Sequence, residues 1–479
     1  MGEAKFVDGS IMRHIWVMSS TAAVGISALF VVDLLDMFFL SLLGEEELAA
    51  AVGYAGTISF FTTSIGIGLS IALGAVVSRA IGQKNVAAAR RLLMNAALVT
   101  LITSILVSAL VTWQIPQLLD LVGASGRTKI LASEYLYILV PSLPFICLAM
   151  ALGAALRAVG DARLSMMSTL AGGAVNAALD PVFIFLFAMG IEGAAVASVL
   201  ARITVLLVAA RGVVVKHRLL GQFSLADFRM DLPVILAIAI PAMLTNIATP
   251  IGNGFVTRAV AEYGDAYVAG WAVVGRVIPV AFGMIFALSG AIGPIVGQNF
   301  GAGAFERVRE TLIRAIQFCT LYVLAVCLIL LLCREPLIDA FDLSGQSADI
   351  ASFFLTYIAV FFIFNGILFV ANASFNNLGQ AKYSTLFNVG KATLGTVPFV
   401  YLGGQWGGVH GVLLGQAFGA VVFGLAGVWV AFRLVSRVQR LHRPEPDGFD
   451  DLTPASSSAL SSSCVQMQLG EQDERKPTG

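Results

Sequence analysis

Asn176 and Asp180 stand four residues apart inside an otherwise apolar run, LSMMSTLAGGAVNAALDPVFIFLFAM (164–189). On a helix that spacing puts the amide and the carboxylate on one face, a turn apart. The run is long enough to cross a bilayer, which takes ~20 mostly apolar residues. An acid at membrane depth costs on the order of 2.5–3.5 kcal/mol and marks an ion path, a proton relay or a counter-ion. Pro181 follows at once; it has no backbone N–H, so the helix is expected to kink beside the acid. Two further acids, Asp33 and Asp36, fall one turn apart in the first apolar run. Carboxylates brought close in a low-dielectric cavity cannot both ionise cheaply and take up a proton as a unit. The same oxygens suit Na⁺, and the residues alone do not choose.

Such groups need apolar helices to hold them. Of the 479 residues, 58% are hydrophobic and only 12% charged, against about 25% charged in soluble proteins. The mean hydropathy is +0.87. This is the composition of an all-α polytopic membrane protein. The net charge of +0 leaves no basic footprint for nucleic acid. Five cysteines without CxxC spacing argue against a disulfide framework or a zinc site. The first apolar run reads as a retained span and not a removable signal.

Twelve apolar runs can be counted, several broken by proline, as membrane helices tolerate. Arginines and lysines gather in alternate connections, after the second, fourth, sixth, eighth and tenth runs and after the twelfth, which by the positive-inside rule puts both termini in the cytoplasm. The expected organisation is an N-lobe at 1–217, a polar linker at 218–231, a C-lobe at 232–437 and a disordered cytoplasmic tail at 438–479, rich in Ser, Pro and acids.

The two six-span halves repeat. VVSRAIGQKNVAAARRLL (76–93) aligns with IVGQNFGAGAFERVRETL (295–312), and LRAVGDARLS (156–165) with FNNLGQAKYS (375–384), both at an offset of 219. An even number of spans separates the copies, so they are parallel repeats about an axis along the membrane normal, with the substrate site expected near the midplane. The halves differ in chemistry: no carboxylate falls inside a second-half span, so a cation site belongs to the N-lobe.

Four stretches, in order, resemble the multidrug and toxic compound extrusion (MATE) family over nearly all of residues 10–440. They are VVDLLDMFFLSLLGEEELAAAVG (31–53), VSRAIG (77–82), LRAVGDARLSMMSTLAGGAVNAALDPVFIF (156–185) and PIVGQNFGAGAFERVR (294–309). The resemblance implies two six-helix bundles related by a pseudo-two-fold axis. It also implies a secondary active exporter, not an enzyme, monomeric in a bacterial-type inner membrane, antiporting amphipathic organic cations against H⁺ or Na⁺ by alternating access. No cofactor beyond the coupling ion is expected.

Carried over residue by residue, the family's N-lobe cation site falls on Asp36, Asn176 and Asp180. Its sixth-span threonine falls on Ser198 of GAAVAS (193–198), and its fourth-span tyrosine on Tyr135, with Tyr137 as the neighbouring candidate. Asp33 is a possible second acid and Pro181 the hinge. If the ion is Na⁺, its ligands would be Asp36, Asn176, Asp180 and Ser198. The second-half acids of the NorM-type branch are missing: IPAMLTNIATP (240–250) has none, and the tenth-span position falls on Asn365. The chain is therefore closer to the DinF-type branch, and that branch resemblance alone favours protons. The alternative is a flippase for lipid-linked precursors, which would want several basic groups in its cavity; Arg202, Arg276 and Lys391 are the candidates.

Overall fold

Each long apolar run becomes a helix because only a helix satisfies its backbone polar groups within the segment, away from water. The computed structural model describes residues 4–43 and 46–441. The first six spans are α1 (Ile11–Ser41), α2 (Glu46–Gly82), α3 (Val86–Leu121), α4 (Gly126–Ala158), α5 (Ala162–Leu186) and α6 (Gly190–Lys216). The second six begin with α7 (Leu225–Ala261). Next is α8, built of Asp265–Ala281 and Gly283–Gly301, and then α9 (Phe305–Leu332). A short helix, Arg334–Ala340, leads to α10 (Gly345–Asn377).

From Lys382 to Leu441 the chain is helical for most of 60 residues, which as one rod would measure roughly 90 Å, about three bilayer cores. It folds back instead. Gly407 (φ −132°, ψ 15°) and Gly408 (φ 59°, ψ −144°) leave helical geometry, and the second of these is a backbone state that glycine alone adopts freely. A Cβ on Gly403, Gly411, Gly415 or Gly419 would strike the backbone of Gly411, Gly403, Phe399 or Gly395 respectively. Every such pair is centred on position 407. These are two antiparallel helices in glycine-to-backbone contact, α11 (382–406) and α12 (409–441), and the twelve expected spans are present.

Proline breaks are repaired by neighbouring hydroxyls. Pro144 cannot donate to the Val140 carbonyl, and Ser108 Oγ of α3 does so at 2.9 Å. Two expected boundaries shift. The linker is shorter than 218–231, because Ser224 caps a helix already running at Leu225. Asp231 is turned inward from its second turn, 3.0 Å from Arg91 Nε and 2.8 Å from Asn95 Nδ2 of α3. The tail begins later than 438, since α12 runs to Leu441; the segment expected to be disordered, from 442 on, lies outside the described residues.

The lobes meet at the end of the bundle that carries Arg79, Arg157 and Arg307, the basic end. Arg79 Nη2 of α2 donates to the Asn377 carbonyl at 2.9 Å, and Gln298 Nε2 of α8 donates to the Ala158 carbonyl at 2.7 Å. Donors 79 and 298, and acceptors 158 and 377, are each 219 apart. Gly82 and Gly301 obey the same rule: a Cβ on either would strike the backbone of Gln298 or Arg79. The repeat read from the sequence is thus a physical two-fold contact.

A strap ahead of α1 crosses this seal. Phe6 N–H donates to Gln298 Oε1 at 2.9 Å, and the Phe6 carbonyl accepts from Asn299 Nδ2 and Arg307 Nη2, each at 3.1 Å. Phe6, Ile11, Ile15 and Met18 pack in the C-lobe core, whereas Leu40, at the far end of α1, packs in the N-lobe. The expected N-lobe, 1–217, therefore borrows its first turns from the other lobe's core. Among the described residues, all hydrogen bonds between lobes lie at the basic end.

Candidate coupling site

Asp36 sits near the far end of α1, and Asn176 and Asp180 on the last turns of α5. One nitrogen joins them. Asn176 Nδ2 donates to Asp36 Oδ1 at 2.7 Å and to Asp180 Oδ2 at 2.9 Å. The two carboxyl oxygens, bonded to the same atom, can be no further apart than the sum of those distances. Asn176 is 2% exposed and Asp180 0%. At ~5 Å two unit charges repel by roughly 3 kcal/mol at an effective dielectric constant near 20. The arrangement therefore favours one proton held between the two acids.

The other oxygen of Asp180, Oδ1, is buried without a hydrogen-bond partner. Buried polar atoms are rarely left so, and a proton shared with the adjacent Asp36 carboxyl would satisfy it. Asn176 presents its donor side to both acids. That suits a carboxyl pair sharing a proton; a Na⁺ ligand would have to present the amide oxygen.

Local sequence explains why α5 carries the site. Pro181 withholds the N–H that would reach the Ala177 carbonyl. Directly after it, Val182–Leu186 widens into a π-turn closed by Phe187 N–H on the Val182 carbonyl at 3.0 Å. Such π-bulges recur at functional sites. The expected irregularity at Pro181 is present, and it adjoins Asp180.

The remaining sequence candidates divide. Tyr135 is buried in the apolar cluster that also holds Leu40, Ile184 and Ala194, on the Asp36 side of the lobe. Tyr137 is 47% exposed, unlike Tyr135. Ser198 is half-buried on α6, and its hydroxyl makes no hydrogen bond among the described residues. Asp33 lies on α1 one turn before Asp36, but its side chain is outside the described atoms. No group of three His, Cys, Asp or Glu side chains gathers among the described residues.

The partners of two basic residues named from the sequence were not legible in it. Arg202 of α6 is tied down structurally, Nη1 donating to Ser142 Oγ at 2.9 Å and to the Leu139 carbonyl at 3.2 Å where α4 breaks. In the C-lobe, Lys391 Nζ donates to Asn365 Oδ1 at 2.6 Å, with no carboxylate partner among the described residues. Asn365 shares a helix face with Phe362 and Phe369, and the ring of Phe286 sits 5.9 and 5.8 Å from those two. Where the N-lobe buries acids, the C-lobe holds an ammonium beside aromatic rings. The only signal for this was Lys391 itself, a lysine in an apolar run.

The sequence model of a family described as MatE matches residues 22–182 and 241–402, two segments whose starts are again 219 apart. The chain is 27% identical over 428 residues to an FAD transporter of Shewanella oneidensis, covering 88% of this chain and 94% of that one. It is 22% identical to the multidrug export protein MepA of Staphylococcus haemolyticus, covering 90% and 96%. Among solved structures, a MOP superfamily transporter from Pyrococcus furiosus, described as having a binding pocket of reverse polarity, superposes with a TM-score of 0.85. It is 23% identical, with 92% of this chain and 99% of that one covered.

Proposed function

The chain belongs to the MatE family of transporters and is not an enzyme, and from that premise we propose a secondary active multidrug exporter driven by protons. The coupling site is Asp36, Asn176 and Asp180 in the N-lobe, and the observation that carries it is the single amide nitrogen bridging two acids. Tyr135 walls the site and Pro181 is its hinge. The basic end faces the cytoplasm of a bacterial-type inner membrane, which puts both termini there. The seal then closes the cytoplasmic side, and the lobes are joined by hydrogen bonds at that side alone among the described residues.

Proton binding at Asp36 and Asp180 removes their mutual repulsion and favours one packing of α1 against α5. Cargo favours the other. The exchange works only because each ligand binds the two packings differently. α1 joins the site to the seal, since its first turns sit in the C-lobe core and Asp36 bonds to the N-lobe.

The cargo is amphipathic organic cations, which suit apolar, aromatic walls. Lys391 supports a second reading of the cargo, planar aromatic anions of the kind named for the Shewanella relative. A lipid-linked precursor flippase is less favoured, because one of its three basic candidates, Arg202, is spent on Ser142 and the Leu139 carbonyl.

One experiment separates these readings. The protein is reconstituted in vesicles, separate H⁺ and Na⁺ gradients are imposed, and uptake of ethidium and of FAD is followed. Ethidium movement on a proton gradient, lost in Asp36→Asn and in Asp180→Asn, is the expected result. Sodium-driven movement in the wild type would overturn the proton as the coupling ion, and full activity in both variants would overturn the coupling site. FAD movement lost in Lys391→Ala would assign the anionic cargo.

A further inference from the structure

The outer face of the C-lobe at the basic end holds a groove apart from the candidate coupling site. It lies between the start of α9 and the end of α12 and encloses about 390 Å³. Arg309, Arg433 and Arg440 line it, with Ser436, Trp429 and Ile313. On α12 the spacing 429, 433, 436, 440 forms one stripe, and 309 and 313 form its counterpart on α9. Arg433 Cζ lies 3.7 Å from the centre of the Trp429 ring, so one guanidinium is held in place by a cation–π contact.

No ion pair among the described residues engages these three arginines. The nearby acids are otherwise occupied: Glu306 accepts from Gln439 and Glu310 pairs with Arg314. Below the arginines the same faces turn apolar and stay open. Leu321, Leu324 and Leu328 of α9 and Val422 and Leu425 of α12 are all 40% exposed or more. The groove is thus cationic at the membrane edge and greasy beneath it.

We propose that this groove is a binding site for an anionic phospholipid, its phosphodiester held by Arg309, Arg433 and Arg440 and its acyl chains laid along α9 and α12. Guanidinium forks match phosphate oxygens in pairs, and Ser436 adds a hydroxyl donor. Basic pockets between membrane helices on the cytoplasmic side are where such headgroups are recognised. A free phosphate would satisfy the arginines but not the apolar strip, so the occupant is a lipid. The assignment needs the basic end at a membrane interface but not proton coupling.

Native mass spectrometry of the full chain in detergent tests it, titrating cardiolipin, phosphatidylglycerol and phosphatidylethanolamine. The variants are the triple R309A/R433A/R440A, the single R433A, the triple lysine replacement, and R437A as a control, because Arg437 is exposed on α12 but outside the groove. The expected result is that anionic lipids stay bound, that the alanine triple weakens them at least tenfold, and that R433A and the lysine triple fall between. R437A should match wild type, phosphatidylethanolamine should not be retained, and millimolar inorganic phosphate should not displace the lipid. Equal loss in R437A would reduce the effect to general surface charge, equal retention of phosphatidylethanolamine would reduce it to adhesion without headgroup selection, and either would overturn the site. Displacement by phosphate would overturn the lipid assignment. Ethidium transport by the same variants, run alongside, separates this result from failure of the export function.

Discussion

Replacing Gln298 with alanine should tip the transporter toward the state open at its basic end. The side chain makes two buried hydrogen bonds, one to the Ala158 carbonyl at 2.7 Å and one from Phe6 N–H at 2.9 Å. Each neutral bond contributes about 1 kcal/mol net. Phe6 is held in the C-lobe core by Asn299 and Arg307 and moves with Gln298, so only the Ala158 bond is lost on opening and the sealed state loses about 1 kcal/mol relative to the open one. At 1.4 kcal/mol per tenfold, the ratio of sealed to open molecules should fall roughly fivefold. Arg79→Ala removes one bond from a charged donor, worth about 1.5–3 kcal/mol, and so should shift the ratio roughly tenfold or more. Spin labels at Lys84 and Ala302, exposed on the two loops flanking the seal, report the distance across it once the native cysteines are replaced. A longer-distance population should grow in both variants, and further in the double variant. If thermal stability fell while the distance distribution stayed as in wild type, the contacts would be common to both states and the reasoning would be wrong.

Three further outcomes are expected. Pro181→Ala restores an ordinary helical donor beside Asp180, and should slow ethidium transport severalfold while the protein stays folded by size-exclusion chromatography; wild-type rates would remove Pro181 from the mechanism. Gly419→Ala puts a methyl into the backbone of Gly395 and should cost more than about 1–3 kcal/mol of overpacking, visible as lost monodisperse protein, whereas Gly254→Ala, with open space around it, should express normally. Asp161 caps α5 in the loop at the basic end: burial pushes its carboxyl up, but Lys216 at 2.6 Å, His217 at 2.8 Å and the Leu164 N–H outweigh this and hold it below the usual range. A depressed folded value stabilises above the ordinary carboxylate pKa of ~3.9 and is lost as pH falls through the folded value, so the melting-temperature gap between wild type and Asp161→Asn should be full at pH 6 and shrink below about pH 4. A gap independent of pH would show that Asp161 does not contribute as a carboxylate.

What could be read from sequence was what breaks the pattern of an apolar run. Asp36, Asn176 and Asp180 stood out because polar groups at that depth are costly, and the 219-residue repeat because glycines and basic residues recur at loop ends. The twelve spans followed from run length, even where Gly407 and Gly408 leave only a two-residue break. The seal was invisible for a physical reason. Its acceptors are main-chain carbonyls of Ala158 and Asn377, which every residue has, so no residue type marks them. The strap at Phe6 precedes the first apolar run and has no periodicity to read. The linker was overdrawn because Asp227, Arg229 and Asp231 look like loop, yet Asp231 is helical and buried against Arg91 and Asn95. Lys391 was noticed, but its partner across α10 could not be.

The two donors of the seal match in position but not in kind, one a guanidinium and the other an amide. Neither gains or loses a proton across the range in which a carboxyl pair does. These two bonds carry no carboxyl, although the same end also holds the Asp231 carboxylate against Arg91 and Asn95. Under the proposed proton coupling, a change at Asp36 and Asp180 would reach the two bonds as a mechanical message along α1, and α7 likewise has a foot in each half. A gate so arranged could be stiffened or loosened at its amide and guanidinium without touching the carboxyl pair.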